Sequence, residues 1–535
     1  MKSSDCLVQC LENEWVEYIF GVPGEENLDV LESLRSSTIR LILTRNEQTA
    51  VFMAATYGRL TGKSGVAIAT LGPGATNMLT WVAHAQLGAM PVIVITGQKP
   101  IKTSKQWLFQ IVDISAMMKP ITKRSTSIAD GSRIPTTIRQ AFKLSQAERP
   151  GVVHIELAED IAGEKISDIY KPLVIQDPRR PVIDEKMFHQ LVSTIKSSKY
   201  PLILIWSGAN RKRITKYLTK LIKKTHIPFF TSQMGKGVVD ESLPYCIGTA
   251  SLTNKDHIHQ VTSQADLIIA IGYDPIEKPA MFVDYNHQKL IHVNFFPAII
   301  DEIYQPYLEA IGDIANTCRQ LFESDLESSM RHYDHIEEDI QNIRQLVYQT
   351  QDADQIIMWP HQLARDLRSL LGPEDILTLD NGLYKLWLAR NYPAYHPNTI
   401  LLDNTLATMG AWYSIAMMAK ILYPDRKVVA VVGDGGLIMN LGDLETIVRL
   451  NLNLTIIILN DSAYGMIKWK QQAMEFENYG LDFGNPDFVM LAQSFWAQGI
   501  LIKDKHNFKN IVKQSLDSPG LTLIELPFLY PSAIK

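Results

Sequence analysis

The sequence predicts an α/β protein built from three doubly wound parallel-sheet domains. Three observations lead there. Short apolar runs of strand length recur along the chain, amphipathic helical patterns lie between them, and 535 residues exceed what one hydrophobic core organises, suggesting about three domains.

The first domain is expected over residues 1–165, with strands at 41–44, 65–70 and 91–96. Each is apolar on both faces, as strands are when helices cover both sides of a sheet. Residues 47–60 read as one such helix, with Gly62 as its stop. A surface linker is expected around Pro172, Pro178 and Pro181, where Asp177, Arg179 and Arg180 add charge. The second domain is expected over 185–335, with strands at 201–206, 228–231, 267–271 and 290–293. A polar, glutamine-rich helix at 337–351 leads to Asp352, Ala353 and Asp354, the second boundary. The third domain, 355–535, carries strands at 376–379, 427–432, 454–459 and 521–526.

Composition narrows the class of function. The chain is 46% hydrophobic and 20% charged, the profile of an ordinary globular protein. Its 52 basic and 57 acidic residues give a net charge of −5 without long basic runs, so neither nucleic acid nor an anionic membrane is expected as a partner. No apolar run reaches the roughly 18 residues of a membrane span, and the N-terminus lacks the apolar core of a signal peptide. A cytoplasmic location is expected. Cys6, Cys10, Cys246 and Cys318 form no CxxC pair and read as buried thiols.

The sharpest chemical signal is an apolar run ending in Gly433, Asp434, Gly435 and Gly436, followed 27 positions after Asp434 by Asp461, which ends another apolar run. Ligands of open α/β sheets bind beyond the carboxyl ends of strands, where glycines let a phosphate approach a helix N-terminus. Mg²⁺ suits such a place, because it takes one or two carboxylates and completes its shell with phosphate oxygens. Two acids at neighbouring strand ends would clip a diphosphate to the sheet. Taken alone, residues 433–436 are equally a tight turn, and Asp461 equally a capping residue. A second signal is Glu47, where a strand meets an apolar helix, although any acid in a first helical turn is favoured by the helix dipole.

Paired at this spacing, the two acidic motifs resemble the diphosphate and magnesium signature of thiamine-diphosphate enzymes, and the resemblance runs from about residue 5 to residue 527. It implies that fold, with thiamine diphosphate and Mg²⁺ as cofactors. The family usually has Asn where Asp461 stands; either supplies an oxygen ligand. The resemblance makes Asp434, Asp461 and the Ala463 carbonyl the metal ligands. Gly433, Gly435, Gly436, Tyr464, Gly465 and Met466 accompany them around the diphosphate. Glu47 matches the carboxylate that the family places on the aminopyrimidine ring. Gly72, Pro73, Gly74 and Asn77 resemble the turn beside the pyrimidine half of a neighbouring subunit's cofactor. Leu71 stands where a serine is common. Phe109 and Gln110 resemble the loop that meets the keto acid, which makes Gln110 a candidate catalytic residue. Gly382, Leu383, Tyr384 and Lys385 resemble a diphosphate-contacting segment, with Lys385 in place of the usual histidine. Lys385 is then either a cation near the diphosphate or a solvated lysine on a helix. Met409, within Ala407, Thr408, Met409 and Gly410, resembles the hydrophobic wedge that bends the cofactor; its alternative is core filling.

Within the family, the segments 271–277 and 304–313 resemble the middle domain of catabolic, pyruvate-specific acetolactate synthases, a subclass that needs no FAD. No flavin is therefore expected. Biosynthetic members favour 2-ketobutyrate through a tryptophan after the magnesium motif, and Lys470 aligns there, with Trp469 one residue early. The resemblance thus implies an acetolactate synthase joining two pyruvates with loss of CO2, as a homodimer at minimum and as a homotetramer in the expected assembly. Its product opens onto acetoin or branched-chain amino acids. A thiamine-diphosphate decarboxylase, oxidase or other carboligase, and a non-catalytic homologue, are the rival readings.

Overall fold

Runs of valine, isoleucine and leucine pair into three six-stranded parallel sheets, in a computed structural model that describes residues 1–102, 108–176, 180–250, 258–277, 283–326, 338, 340–342, 360–528 and 530. The first sheet contains β1 (Tyr18–Gly21), β2 (Arg40–Leu43), β3 (Gly65–Ala69), β4 (Val92–Gln98), β5 (Arg124–Ile128) and β6 (Val152–Ala158), in the order β2-β1-β3-β4-β6-β5. Strands β3, β4 and β6 are buried along their whole length, as two-sided helical cover requires. The helix Glu47–Thr61 starts on Asn46, whose side chain accepts from the Gln48 amide, and stops at Gly62 with φ of 76°, a left-handed turn that glycine adopts without strain.

The second sheet contains β7 (Pro201–Ile205), β8 (Phe229–Thr231), β9 (Cys246–Thr249), β10 (Leu267–Ile271), β11 (Lys289–Asn294) and β12 (Leu308–Ile311), in the order β12-β11-β10-β7-β8-β9. The third contains β13 (Ile376–Leu379), β14 (Ile400–Leu401), β15 (Val428–Gly433), β16 (Leu454–Asn460), β17 (Gln498–Leu501) and β18 (Leu521–Pro527), in the order β14-β13-β15-β16-β18-β17. First and third sheets share one topology, in which the chain reverses direction between β1 and β3 and between β13 and β15. Such switch points open a crevice at the strand ends.

The chain divides into two compact units. One comprises residues 1–178 with 405–425 and 439–454; the other comprises 179–404, 426–438 and 455–535. Residues 177–179 of the expected linker, the boundary at 352–354 and most of the expected helix at 337–351 lie outside the described residues. All four cysteines are free and buried, as expected. Among the described residues no helix is long and apolar enough to cross a membrane.

Inside the second unit, Lys236 and Glu241 form a buried ion pair at 2.7 Å, with the two side chains 1% and 5% exposed. Lys236 also donates to Thr249 Oγ1 (2.7 Å), and the Ala394 amide donates to Glu241 Oε2 (2.9 Å). The Ala394 contact ties the chain after the helix Leu383–Asn391 to the connection between β8 and β9. Removing the cation alone strands a carboxylate in the interior, so Lys236→Met is expected to cost about 3–5 kcal/mol in urea unfolding. Lys236→Met combined with Glu241→Leu should recover most of that loss.

Candidate active site

In the second unit, three acids leave adjacent strand ends of the third sheet: Asp380 after β13, Asp434 after β15 and Asp461 after β16. Asp434 is buried, and its Oδ2 accepts from the Ser462 amide (2.8 Å) and from Asn485 Nδ2 (2.7 Å). Asn485 also donates to Asn460 Oδ1 (3.0 Å), and Asn460 in turn donates to Glu525 Oε1 (2.8 Å). Burial raises the Asp434 pKa against these hydrogen bonds. Burial, followed by the charge of Asp434, pushes Asp461 up to about 7. Two carboxylates held this close, in low dielectric, are the electrostatic complement of a divalent cation.

Glycines let the strand ends approach one another. A methyl group at Gly436 would lie 2.2 Å from Asp380 Oδ2, and one at Gly465 would lie 2.7 Å from Asp461 Oδ2. Gly433 donates its amide to the Tyr384 hydroxyl (3.0 Å), and Gly382 lies against the same ring. Leu383 and Tyr384 are buried at the start of the helix Leu383–Asn391. The Tyr464 ring covers Gly435 and packs on Phe483 at 5.0 Å. Ala463 is buried and bridges Asp482, while Met466 is half-buried on the helix Gly465–Ala473.

Lys385 is not the solvated lysine of the second expectation. It is neither solvated nor free to turn to a phosphate, because its ammonium donates to Asp403 O (2.9 Å), Asn404 Oδ1 (2.8 Å) and Asn381 Oδ1. Burial lowers its pKa to about 8. Its three N–H groups are used in holding the loop after β14, so any influence on a diphosphate acts through its charge.

In the first unit, Glu47 is buried and accepts from Asn77 Nδ2 at 3.0 Å. A methyl group on Gly74 would lie 3.3 Å from Glu47 Oε1, and one on Gly72 would lie 2.9 Å from the Gln110 carbonyl. Glu47, Gly72, Pro73, Gly74, Asn77 and Gln110 are therefore brought together at the carboxyl ends of β2 and β3. Gln110 is exposed with φ of 58°, and its neighbour Phe109 is 65% exposed. Met409 is half-buried in the same unit, in a turn where the Gly410 carbonyl accepts from Asn440 Nδ2 (2.9 Å). It is not a fully buried core residue.

Sequence reasoning missed Asn485, Asp380 and Tyr530. Tyr530 lies against Gly465, 2.9 Å from where a methyl group would sit. Asn485 sits in an irregular stretch with no motif around it, and its partner Asp434 is 51 positions away. Only the fold brings it to the acid.

Three family profiles match this chain. They are the N-terminal TPP binding domain of thiamine pyrophosphate enzymes over residues 1–117, the central domain over 188–321, and the C-terminal TPP binding domain over 380–526. Similar proteins include "Acetolactate synthase, catabolic" of Raoultella terrigena, 30% identical over 533 residues that cover 98% of this chain and 95% of that protein. The chain belongs to the acetolactate synthase family of thiamine pyrophosphate enzymes. "Acetolactate synthase" of Bacillus subtilis (strain 168) is 29% identical over 540 residues, covering 100% and 94% of the two chains. "Probable acetolactate synthase large subunit" of Methanococcus aeolicus is 30% identical over 566 residues, covering 100% and 93%.

The neutral donor that Asn485 gives to a buried carboxylate is worth about 1.5–3 kcal/mol. Asn485→Ala is therefore expected to weaken binding of thiamine diphosphate by roughly tenfold or more, measured by calorimetry. Unchanged affinity would remove Asn485 from the site.

Proposed function

We propose that this protein is an acetolactate synthase that binds thiamine diphosphate through Mg²⁺ and converts two pyruvates into 2-acetolactate and CO2. The observation that carries the cofactor assignment is a pair of carboxylates, buried Asp434 and half-buried Asp461, at the neighbouring ends of β15 and β16. Their donor set, two carboxylates with the Ala463 carbonyl, consists of the hard oxygens that Mg²⁺ selects, and Gly433, Gly435 and Gly436 open the backbone to a diphosphate. Likeness over the whole chain to proteins named acetolactate synthase supports the reaction.

When bound, thiamine diphosphate supplies the electron sink that decarboxylation of a 2-keto acid requires. The chain's own residues orient and exclude. Glu47, fixed by Asn77, presents a carboxylate able to hold and return a proton on the aminopyrimidine. Met409 would supply an apolar wedge to the cofactor's rings, and Gln110 a polar contact to the keto acid. The bond between C1 and C2 of one pyruvate breaks to release CO2. The electron pair it leaves ends in a new bond to the carbonyl carbon of the second pyruvate, whose oxygen takes up a proton. An apolar pocket favours this loss of carboxylate charge and keeps out stray protons that would divert the reaction to acetaldehyde.

The reading includes no flavin. In support, the switch point of the second sheet is zipped by the Gly208 amide on the Gly272 carbonyl (3.0 Å). Beside it lies the fully buried Glu277 carboxylate, a poor neighbour for a second diphosphate. The four buried free thiols suit a reducing compartment such as the cytoplasm. A homodimer, assembled further into a homotetramer, is the proposed state.

Purified protein given pyruvate, Mg²⁺ and thiamine diphosphate is expected to yield acetoin after acid decarboxylation of the product. Acetaldehyde alone, or oxygen-dependent acetyl phosphate, would point to a decarboxylase or an oxidase. Tight cofactor binding without any turnover would point to a non-catalytic homologue. Glu47→Gln should bind cofactor yet lose most activity, about a hundredfold or more.

The titration of Asp461 sets a pH dependence. A carboxyl whose folded pKa is raised to about 7 binds its proton more tightly when folded, so the cofactor-free protein loses stability as pH rises from about 4 to about 7. A cation must displace that proton. Mg²⁺ affinity, followed by calorimetry from about pH 5.5 to about pH 8, is expected to rise roughly tenfold per unit and flatten above pH 7. Affinity independent of pH across this window would contradict the placement of Asp461 as a ligand.

A further inference from the structure

We propose that Asp443 is a positioning residue for Glu47: one buried carboxylate, reached late in the chain, grips the strand-to-helix junction on both sides of the glutamate. The proposal rests on the reading of Glu47 given above. Asp443 is 1% exposed and lies in the same compact unit as Glu47. Its Oδ1 accepts from the Arg45 amide (2.8 Å) and from Thr446 Oγ1 (2.7 Å), and its Oδ2 accepts from Thr49 Oγ1 (2.6 Å). Arg45 and Thr49 stand two residues before and two residues after Glu47. Thr49 is fully buried and also meets the Tyr413 hydroxyl at 3.1 Å. Beyond this clamp, Arg449 donates to the Leu43 carbonyl (2.6 Å) from the far end of the helix Leu444–Arg449.

The chemistry of the site asks for a carboxylate. All three groups directed at Asp443 donate, and a carboxylate is an acceptor on both oxygens, forming the stronger, charge-assisted kind of hydrogen bond. The clamp also has a place to act. Glu47 is the first residue of its helix, where backbone amides lack intrahelical partners and the chain frays most easily. The Asn46 cap restrains one side of that turn, by accepting from Gln48 (2.9 Å). Asp443 restrains the other side through Thr49 and anchors the approach through Arg45. A carboxylate that must meet a ring nitrogen gains from such support, since a displacement of about 1 Å costs up to a hundredfold in rate.

Thr49→Val keeps the size of the buried side chain and removes its donor; Asp443→Ala removes the whole clamp. Both are expected to lower kcat by about tenfold or more at saturating thiamine diphosphate and Mg²⁺, with KM for pyruvate within about twofold. In the cofactor-free protein, amide hydrogen exchange over residues 45–49 should accelerate in both variants, and Thr49→Ser should restore both rate and protection. Should Asp443→Ala not fold, Thr49→Val and Thr49→Ser carry the test. A folded Thr49→Val with parental kcat and parental exchange overturns the proposal, as does a variant that only melts earlier while each loaded site turns over at the parental rate. Glu47→Gln separates the two levels. If it retains full activity, the reading of Glu47 fails; if it is inactive while Thr49→Val is fully active, only the clamp fails.

Discussion

A parallel strand covered by helices on both faces has no side that water reaches, and this constraint organises the whole molecule. Polar side chains are admitted along such strands only with their partners supplied. His154, in the middle of β6, shows the condition met: Thr96 and Ser125 hydrogen-bond its two ring nitrogens at 2.9 and 2.8 Å, and burial lowers its pKa to about 3. Elsewhere the polar groups gather at the carboxyl ends. There the backbone turns into helices, amides lack partners and a ligand can enter. Asp380, Asp434 and Asp461 occupy those ends in the third sheet. Glu47, Asn77 and the glycines of residues 72–74 occupy them in the first.

Charge held in the interior or close to it is handled in two ways in this chain. Lys236 with Glu241 is closed by mutual attraction and by two further hydrogen bonds. Lys99 with Glu26, at 2.6 Å and with Thr70 donating to the same carboxylate, is closed likewise at the ends of β1, β3 and β4. Asp434 and Asp461 are different. They are neighbours of like sign, and the hydrogen bonds they accept leave Asp461 with a strongly raised pKa. Strongly perturbed carboxyl groups of this kind cluster at functional sites.

The first unit shows how far in sequence such support reaches. The helix that begins at Glu47 is braced by Tyr413 and Asp443, residues that follow it by more than 360 positions. The support of that helix start is thus drawn from packing that no local motif encodes.

Much was legible in the chain itself, because it depends on short-range pattern. Continuous apolar runs marked the central strands: the expected 267–271 and 376–379 coincide with β10 and β13, and β3 and β16 differ from expectation by one residue. Glu47 and Gly62 marked the two ends of a helix, whose Asn46 cap only the structure showed. The apolar runs before 433–436 and 461 marked two neighbouring strand ends, and the glycines there marked a place of close backbone approach. The edge strands β5 and β17 escaped notice, as did the interior strands β1 and β6. β5 and β17 are half-buried and polar on one side, so they carry no continuous apolar run. What only the tertiary structure decided was the pairing of distant groups: Asn485 with Asp434, Asp443 with Thr49, and the burial of Lys385 among the oxygens of residues 381, 403 and 404. A hydrogen bond depends on where two chain segments pass in space. A sequence records each of its partners without recording that they meet.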